Sequence, residues 1–374
     1  MKCMQFLRLI SRYIVGIVFV FSGFAKGVDP LGTVYQFEDY MIAYGTEWAL
    51  PLALIGTVIL CTLEFTVGVS LLLNFKMRIT RWALLAIMLF FTIVTLLDAV
   101  FNLVSDCGCF GEAIVLTNWQ TFYKNLVLMV FVLIIFFTHR YSRSSFTMKT
   151  QNIMAVSTIL IFSGFTVYSY NRLPLVDFLD WKVGRDLVPD DPGKPVTYLI
   201  YKNKSTGETK KMLSGDLPWQ DSVWMSQWEF SDTEIDDSQV IKSHGLQILD
   251  STGVDLTDIY IANPGYQFIL VAYDMEKARM KALERMVRFC GEATHDDVSF
   301  IMLTASLPEV AEGFRKRTGA SFEIFYADDI TLKMMIRSNP GLILLHDGII
   351  IDKWHHHYFP EYEEVKKTYL RNPY

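Results

Sequence analysis

Five nearly unbroken apolar runs fill the first 170 residues, at about 9–26, 48–73, 82–104, 121–138 and 153–170. Each is close to the roughly 20 residues that an α-helix needs to cross the hydrocarbon core of a bilayer. In lipid every backbone N–H and C=O must be bonded within the segment, so runs of this kind fold as membrane helices. The chain is 51% hydrophobic, and that apolar character is uneven, because residues 171–374 have the mixed polarity of an ordinary domain. The sequence therefore predicts a membrane α-helical bundle, four helices plus a fifth span, followed by an α/β domain.

Lysine and arginine in the short flanks set the orientation. Lys2, Arg8 and Arg12 precede the first run, Lys76, Arg78 and Arg81 separate the second from the third, and His139, Arg140, Arg143 and Lys149 separate the fourth from the fifth. All three clusters fall on one face, which makes it the cytoplasmic one and requires an odd number of spans. The first run has the basic start of a signal peptide, but no small-residue cleavage site follows it cleanly. Lys26-Gly27-Val28-Asp29-Pro30 reads instead as the end of a retained helix. The expected setting is the inner membrane of a bacterium, with the N-terminus cytoplasmic and everything after residue 170 periplasmic. Membrane lipid is then a partner, whereas a net charge of −6 gives no case for nucleic acid.

Between the third and fourth runs lies Ser105-Asp106-Cys107-Gly108-Cys109-Phe110-Gly111-Glu112. Two residues of extended chain span at most about 7 Å, while a disulfide wants its Cα atoms at about 4.4–6.8 Å, so Gly108 must let the chain contract. A bridge here would be strained, and strain is a property of labile and catalytic disulfides. The alternatives are two unpaired thiols in a turn, or half of a metal site; no nearby Cys or His cluster completes a tetrahedral zinc shell, so no metal is expected. Cys3, Cys61 and Cys290 offer no local partner. Glu64 and Asp98 lie within spans, where an ionisable group is expensive and faces a partner or a wet cavity. Lys124, near the start of the fourth run, would favour a thiolate by its charge, and Asp106 would oppose it. Lys26 alone reads as a lysine snorkelling at a helix stop.

Phe21-Ser22-Gly23-Phe24-Ala25-Lys26 with Asp29-Pro30, Glu64, and Cys107-Gly108-Cys109-Phe110-Gly111 before Trp119 and Lys124-Asn125 resemble the MauE branch of the DoxX-like membrane proteins, over about residues 8–140. The resemblance implies a four-helix bundle related in general plan to vitamin K epoxide reductase-like enzymes, and a role in forming or maintaining disulfides in exported proteins. In the methylamine-utilisation members the implied client is a methylamine dehydrogenase subunit, and nothing in this chain points to that client. The expected division is a DoxX/MauE-like domain at 1–145, a fifth span at 146–172, a connector and β-rich segment at 173–244, and an α/β domain at 245–374.

In the tail, a Lys182-Val183-Gly184 turn and a turn-rich 189–193 mark the connector, and 196–211 alternates like a hairpin. Trp219, Trp224 and Trp228 follow without an assignable role. Strands are expected at 246–249, 255–259, 266–273, 298–304 and 322–326, helices at 275–291 and 306–318, and a helical turn at 330–336. Ser306 and Glu309 have the spacing of a capping box. A hairpin of 341–345 and 349–353 closes the series. This order resembles a thioredoxin-like domain of the redoxin type, and the resemblance implies a cis peptide bond at Pro340. The family's C-x-x-C is absent, with Tyr273-Asp274-Met275-Glu276-Lys277 in its place. Cys290 reads as a small buried residue. His355-His356-His357, with His346 or Glu361, reads as a polar strand end, because consecutive strand residues point to opposite faces.

Two functional readings follow. One is a membrane thiol-disulfide oxidoreductase, or accessory factor, acting on an exported thiol-containing client or redox partner through Cys107 and Cys109. The other is a non-catalytic scaffold whose tail binds a partner. No cofactor is identified; a quinone is suggested by bundle analogy alone, without a sequence motif.

Overall fold

The computed structural model describes residues 2–104, 108–138, 144–188, 196–213, 222–236 and 245–370. Cys107 lies outside them with Ser105 and Asp106, as do the turn at 189–193 and Trp219. Among the described residues five helices are long and apolar enough to cross a membrane, as the runs predict. They are α1 (Lys2–Val28), α3 (Ala53–Leu73, extended by a 3-10 turn over Glu47–Leu52), α4 (Met77–Phe101), α5 (Asn118–Phe137) and α6 (Met148–Tyr170). Between the first two lies α2 (Pro30–Ala43), where the sequence reading has only a connection. Pro30 fits its first turn because the missing N–H has no helical partner there, and Asp29 caps it by accepting from Gly32 N at 3.1 Å. The third span ends at Phe101 rather than 104, because Asn102 takes a left-handed φ of 50° and donates to Asp98 O at 2.8 Å.

The bundle packs through small residues. A Cβ at Gly23 of α1 would stand 2.7 Å from Phe65 N of α3, so only glycine permits this crossing. Val15, Phe19, Leu71, Leu84, Val132 and Ile135 fill the core between α1, α3, α4 and α5. After α4 the chain forms a short strand, β1 (Cys109–Glu112). The capping box that starts α5 is reciprocal, from Thr117 Oγ1 and the Gln120 side chain.

The described part of the tail holds two sheets. In the smaller, β2 (Val196–Asn203) lies between β3 (Thr209–Leu213) and β4 (Trp228–Asp236), after the one-and-a-half-turn helix α7 (Ser222–Gln227). Trp224 and Trp228 stack there at 5.5 Å, which gives two of the three unassigned tryptophans a packing role. The larger sheet follows a small helix, α8 (Thr257–Ile261). Its elements are β5 (Tyr266–Val271), α9 (Met280–His295), β6 (Ser299–Thr304), α10 (Pro308–Thr318), β7 (Glu323–Tyr326), α11 (Asp329–Met335), β8 (Gly341–His346), β9 (Ile349–His355) and α12 (Tyr362–Val365). The strand order is β7-β6-β5-β8-β9, with β5, β6 and β7 parallel and β8 and β9 antiparallel to their neighbours.

Alternation along these strands builds a core on each face. Phe268, Leu270, Met302, Leu342 and Leu344 meet α9, α10 and α12. Ile269, Val271, Ile301, Leu303, Ile343 and Leu345 meet α11, Leu187 and the fully buried Trp181. The connector is thus part of the fold: Gly184 N donates to Ile350 O and Leu187 N to Gly348 O.

Local hydrogen bonds displace several expected boundaries. Residues 255–259 are not a strand, because Asp255 accepts from Thr257 N and turns the chain into α8. Helix α9 starts at Met280 rather than 275, because Asp274 holds Glu276 N and Lys277 N in a turn. Ser306 does not cap α10; its Oγ accepts from Met275 N, and the cap position falls to Leu307. The Asn339–Pro340 bond is cis.

Candidate functional site

Helix α1 carries Ser22 and Lys26 one turn apart, and α3 places Glu64 opposite them. Lys26 Nζ donates to Glu64 Oε1 at 2.7 Å and Oε2 at 2.9 Å, with side-chain exposures of 5% and 1%. Lys26 stands in the last turn of α1 as expected, but it is buried and paired rather than snorkelling. Two charges at this depth persist because each satisfies the other, and deleting one leaves an uncompensated charge. Ser22 Oγ lies 2.8 Å from Glu64 Oε2 and 2.7 Å from Cys109 O. A hydroxyl has one proton, so Ser22 donates to the carboxylate or to the cysteine carbonyl.

Cys109 is half-buried at the start of β1 and lines a cavity that Lys26 also borders. With Ser22, Glu64, Lys124 and Asn125 it lines a cavity of about 20 Å³, room for about one water. Lys124 Nζ sits 4.2 Å from the centre of the Phe110 ring. The structure thus brings Lys26, Glu64, Lys124 and Cys109 together. Asp98 stands one layer back, fully buried, accepting from Tyr40 O–H at 2.6 Å. Gly108 has φ +58°, a left-handed conformation that favours glycine between the cysteines, and the Gln36 side-chain amide packs directly over it.

The α/β domain meets this end of the bundle through the loop before Pro340. Arg337, with 3% side-chain exposure, donates from Nε to Asp29 Oδ2 at 2.8 Å and from Nη2 to Glu112 Oε1 at 2.9 Å. Burial lowers the guanidinium pKa, but Asp29 and Glu112 outweigh it and the net shift is upward. Glu112 is three residues after Cys109, so Arg337 ties the cysteine strand to the tail. Tyr35 O–H and Tyr273 O–H meet at 2.8 Å, and burial pushes Tyr273 up to about 12. Sequence reasoning missed Arg337; its signal is a lone arginine before Ser338-Asn339-Pro340, with Asp29 as an acid in search of a cation.

A cleft of about 950 Å³ opens beside this contact, lined by Tyr35, Tyr273, Asn339 and the three histidines. Strand β9 ends at His355 and a 3-10 turn follows, so the three rings cluster with ligand atoms within 4.8 Å, contrary to the expected alternation. Hydrogen bonds fix their tautomers. His355 Nδ1 accepts from His357 N at 3.3 Å. Ser338 gives its proton to Pro340 O, so His356 Nδ1 is the donor to Ser338 Oγ at 3.0 Å. His357 donates from Nδ1 to Asn171 O and accepts from Arg279 at Nε2. One lone pair is left, on His356 Nε2, and an arginine faces the cluster; this donor set does not fit a three-histidine metal centre. Burial, helped by the neighbouring histidines and Arg279, pushes His355 down to about 3, and burial pushes His356 down to about 4. His346 stacks on Tyr266, and Glu361 pairs with Arg285, away from the cluster. Cys290 is buried, and that burial pushes its thiol up.

No curated protein and no solved structure matches the chain. The segment from residue 4 to 138, which carries α1 to α5 and the cysteine strand, is similar to the family described as Methylamine utilisation protein MauE.

Proposed function

We propose that this membrane protein is a thiol-disulfide oxidoreductase, or accessory factor, for exported proteins, working through Cys107 and Cys109. The observation that carries the reading is Cys109 at the end of the bundle, lining one cavity with Lys26 and another with Ser22 and Lys124. A cation near a sulfur favours the thiolate, the attacking species in exchange. In the oxidising direction a client thiolate attacks the Cys107–Cys109 bond, one cysteine leaves as thiolate, and a second client thiolate resolves the mixed disulfide. The client gains an S–S bond and the pair gains two electrons and two protons. The basic flanks support a periplasmic setting for this end of the bundle.

The α/β domain is thioredoxin-like in this reading, supported by its strand order and the cis bond at Pro340. Tyr273 and Asp274 stand where paired thiols would lie, so the domain binds or docks and does no exchange of its own. The interdomain cleft also favours the scaffold reading, in which the tail holds a partner without redox chemistry. Single Cys107→Ser and Cys109→Ser variants separate the two. Exchange predicts that one of them accumulates a mixed disulfide with a client or small thiol; if neither does, the scaffold reading stands.

A further inference from the structure

Between the end of α6 and the α/β domain the chain has its polarity inverted. Leu173, Leu179 and Trp181 pack toward the domain core, but Leu175, Val176 and Phe178 are exposed, Leu175 at 62% and Val176 at 43%. The acid among them turns inward: Asp177 accepts from Lys353 Nζ at 2.6 Å, and that lysine side chain is 3% exposed. Asp177 also accepts from Leu179 N at 3.1 Å, so the loop is held in shape. A loop in water turns its carboxylate out and its apolar side chains in, because each is cheaper there. This one is arranged for an apolar neighbour.

The position of the loop says which neighbour. Helix α6 has 23 residues, about 34 Å at 1.5 Å per residue, against a hydrocarbon core of about 30 Å. Its last turn therefore stands at the membrane surface, where Tyr168 is exposed in the manner of interfacial tyrosines. Trp119 and Tyr123, at the start of α5 and so at the same end of the bundle, are exposed as well. Arg172 N donates to Ser169 O at 3.2 Å, which folds the chain back on the helix end. The Arg172 guanidinium lies 4.7 Å from the Tyr168 ring centre and 4.2 Å from that of Tyr358, a cation at headgroup level. Leu175 follows Tyr170 by five residues, at most about 17 Å of extended chain.

We propose that Leu175, Val176 and Phe178 insert into the lipid leaflet at this end of α6 and seat the α/β domain on the membrane surface. The three side chains lie among the upper acyl carbons and Arg172 among the phosphates, while the Asp177–Lys353 pair keeps the loop in the shape that presents them. The inference is independent of the thiol-exchange reading. It gives the domain a second anchor besides Arg337, on lipid instead of on protein. A protein partner covering the same side chains is the competing occupant.

The test places a nitrobenzoxadiazole label at Leu175→Cys in the full chain, in phosphatidylethanolamine–phosphatidylglycerol nanodiscs. Cys3→Ser, Cys107→Ser and Cys109→Ser remove competing thiols, and the buried Cys61 and Cys290 stay. Insertion predicts blue-shifted emission and little quenching by iodide. A lipid with its nitroxide near the top of the acyl chain should quench more than one with the nitroxide near the chain end. The same label at Val176→Cys repeats the reading if the first variant fails to fold. Adding Val176→Ser and Phe178→Ser to the Leu175→Cys chain leaves the core intact, since both side chains are exposed. Each serine should lower the insertion equilibrium by about tenfold, read as lipid quenching lost and iodide quenching gained. Strong iodide quenching without the serines, or lipid quenching unchanged by them, overturns the proposal. Protection from both quenchers overturns it in favour of a protein partner.

Discussion

Two buried ion clusters meet at the cysteine strand, and they differ in what they hold. Lys26 and Glu64 belong to neighbouring membrane helices and set the charge around Cys109. Arg337 reaches from the α/β domain to Asp29 and Glu112, residues 308 and 225 positions away in the chain, and sets where the strand lies. The first cluster is chemical environment and the second is a strut. A buried pair adds little stability by itself, because desolvation offsets attraction, but its geometry is strict and breaking it is expensive. Both clusters therefore converge on one strand.

The largest expected effect is on the first cluster. Glu64→Ala strands an ammonium in the bundle and should cost about 3–5 kcal/mol, read as lowered thermal stability of the detergent-solubilised protein. Glu64→Ala with Lys26→Met, which removes both charges, should recover most of that loss; no recovery would mean the pair is not coupled. Arg337→Ala comes next, at about 2–5 kcal/mol on the interdomain contact, because Glu112 is partly exposed. Hydrogen exchange should rise in β1 and α2 while α9 stays protected. Arg337→Lys should rescue little, since an ammonium lacks the fork that serves two carboxylates. Equal loss of protection in α9 would show that Arg337 supports the domain core and not the contact.

A smaller effect, on pH, comes from the histidine cluster beside the second of these contacts. His355 is held at about 3 in the fold, below the roughly 6.5 of an unfolded imidazole, so the unfolded chain binds the proton first as pH falls. Stability should be intact above about pH 6.5 and decline toward pH 3, with about 2 kcal/mol lost at pH 5 through this residue. His355→Gln should flatten the decline in an unfolding titration. An unchanged slope would place the sensitivity elsewhere.

The five spans are legible because a bilayer leaves a helix few alternatives, and the α/β order because period-2 apolar strands alternate with an amphipathic helix such as α9. Helix α2 is not, since Glu38 and Asp39 break its apolar pattern and the bilayer does not enforce it. Lys26 and Glu64 each stand out singly, but their pairing depends on how α1 crosses α3. Arg337 and Gln36 gain their meaning from contacts made by tertiary packing. The three histidines mislead because the strand stops at His355, one residue before alternation would separate the rings.

The redox state of Cys107 and Cys109, read by alkylation in membranes equilibrated against defined dithiol and disulfide ratios, tests the central claim most directly. Exchange predicts that both thiols oxidise together in one two-electron transition at a potential reachable by a thiol-disulfide partner, while Cys61 and Cys290 stay reduced and buried. A pair that remains reduced under oxidising conditions would contradict it.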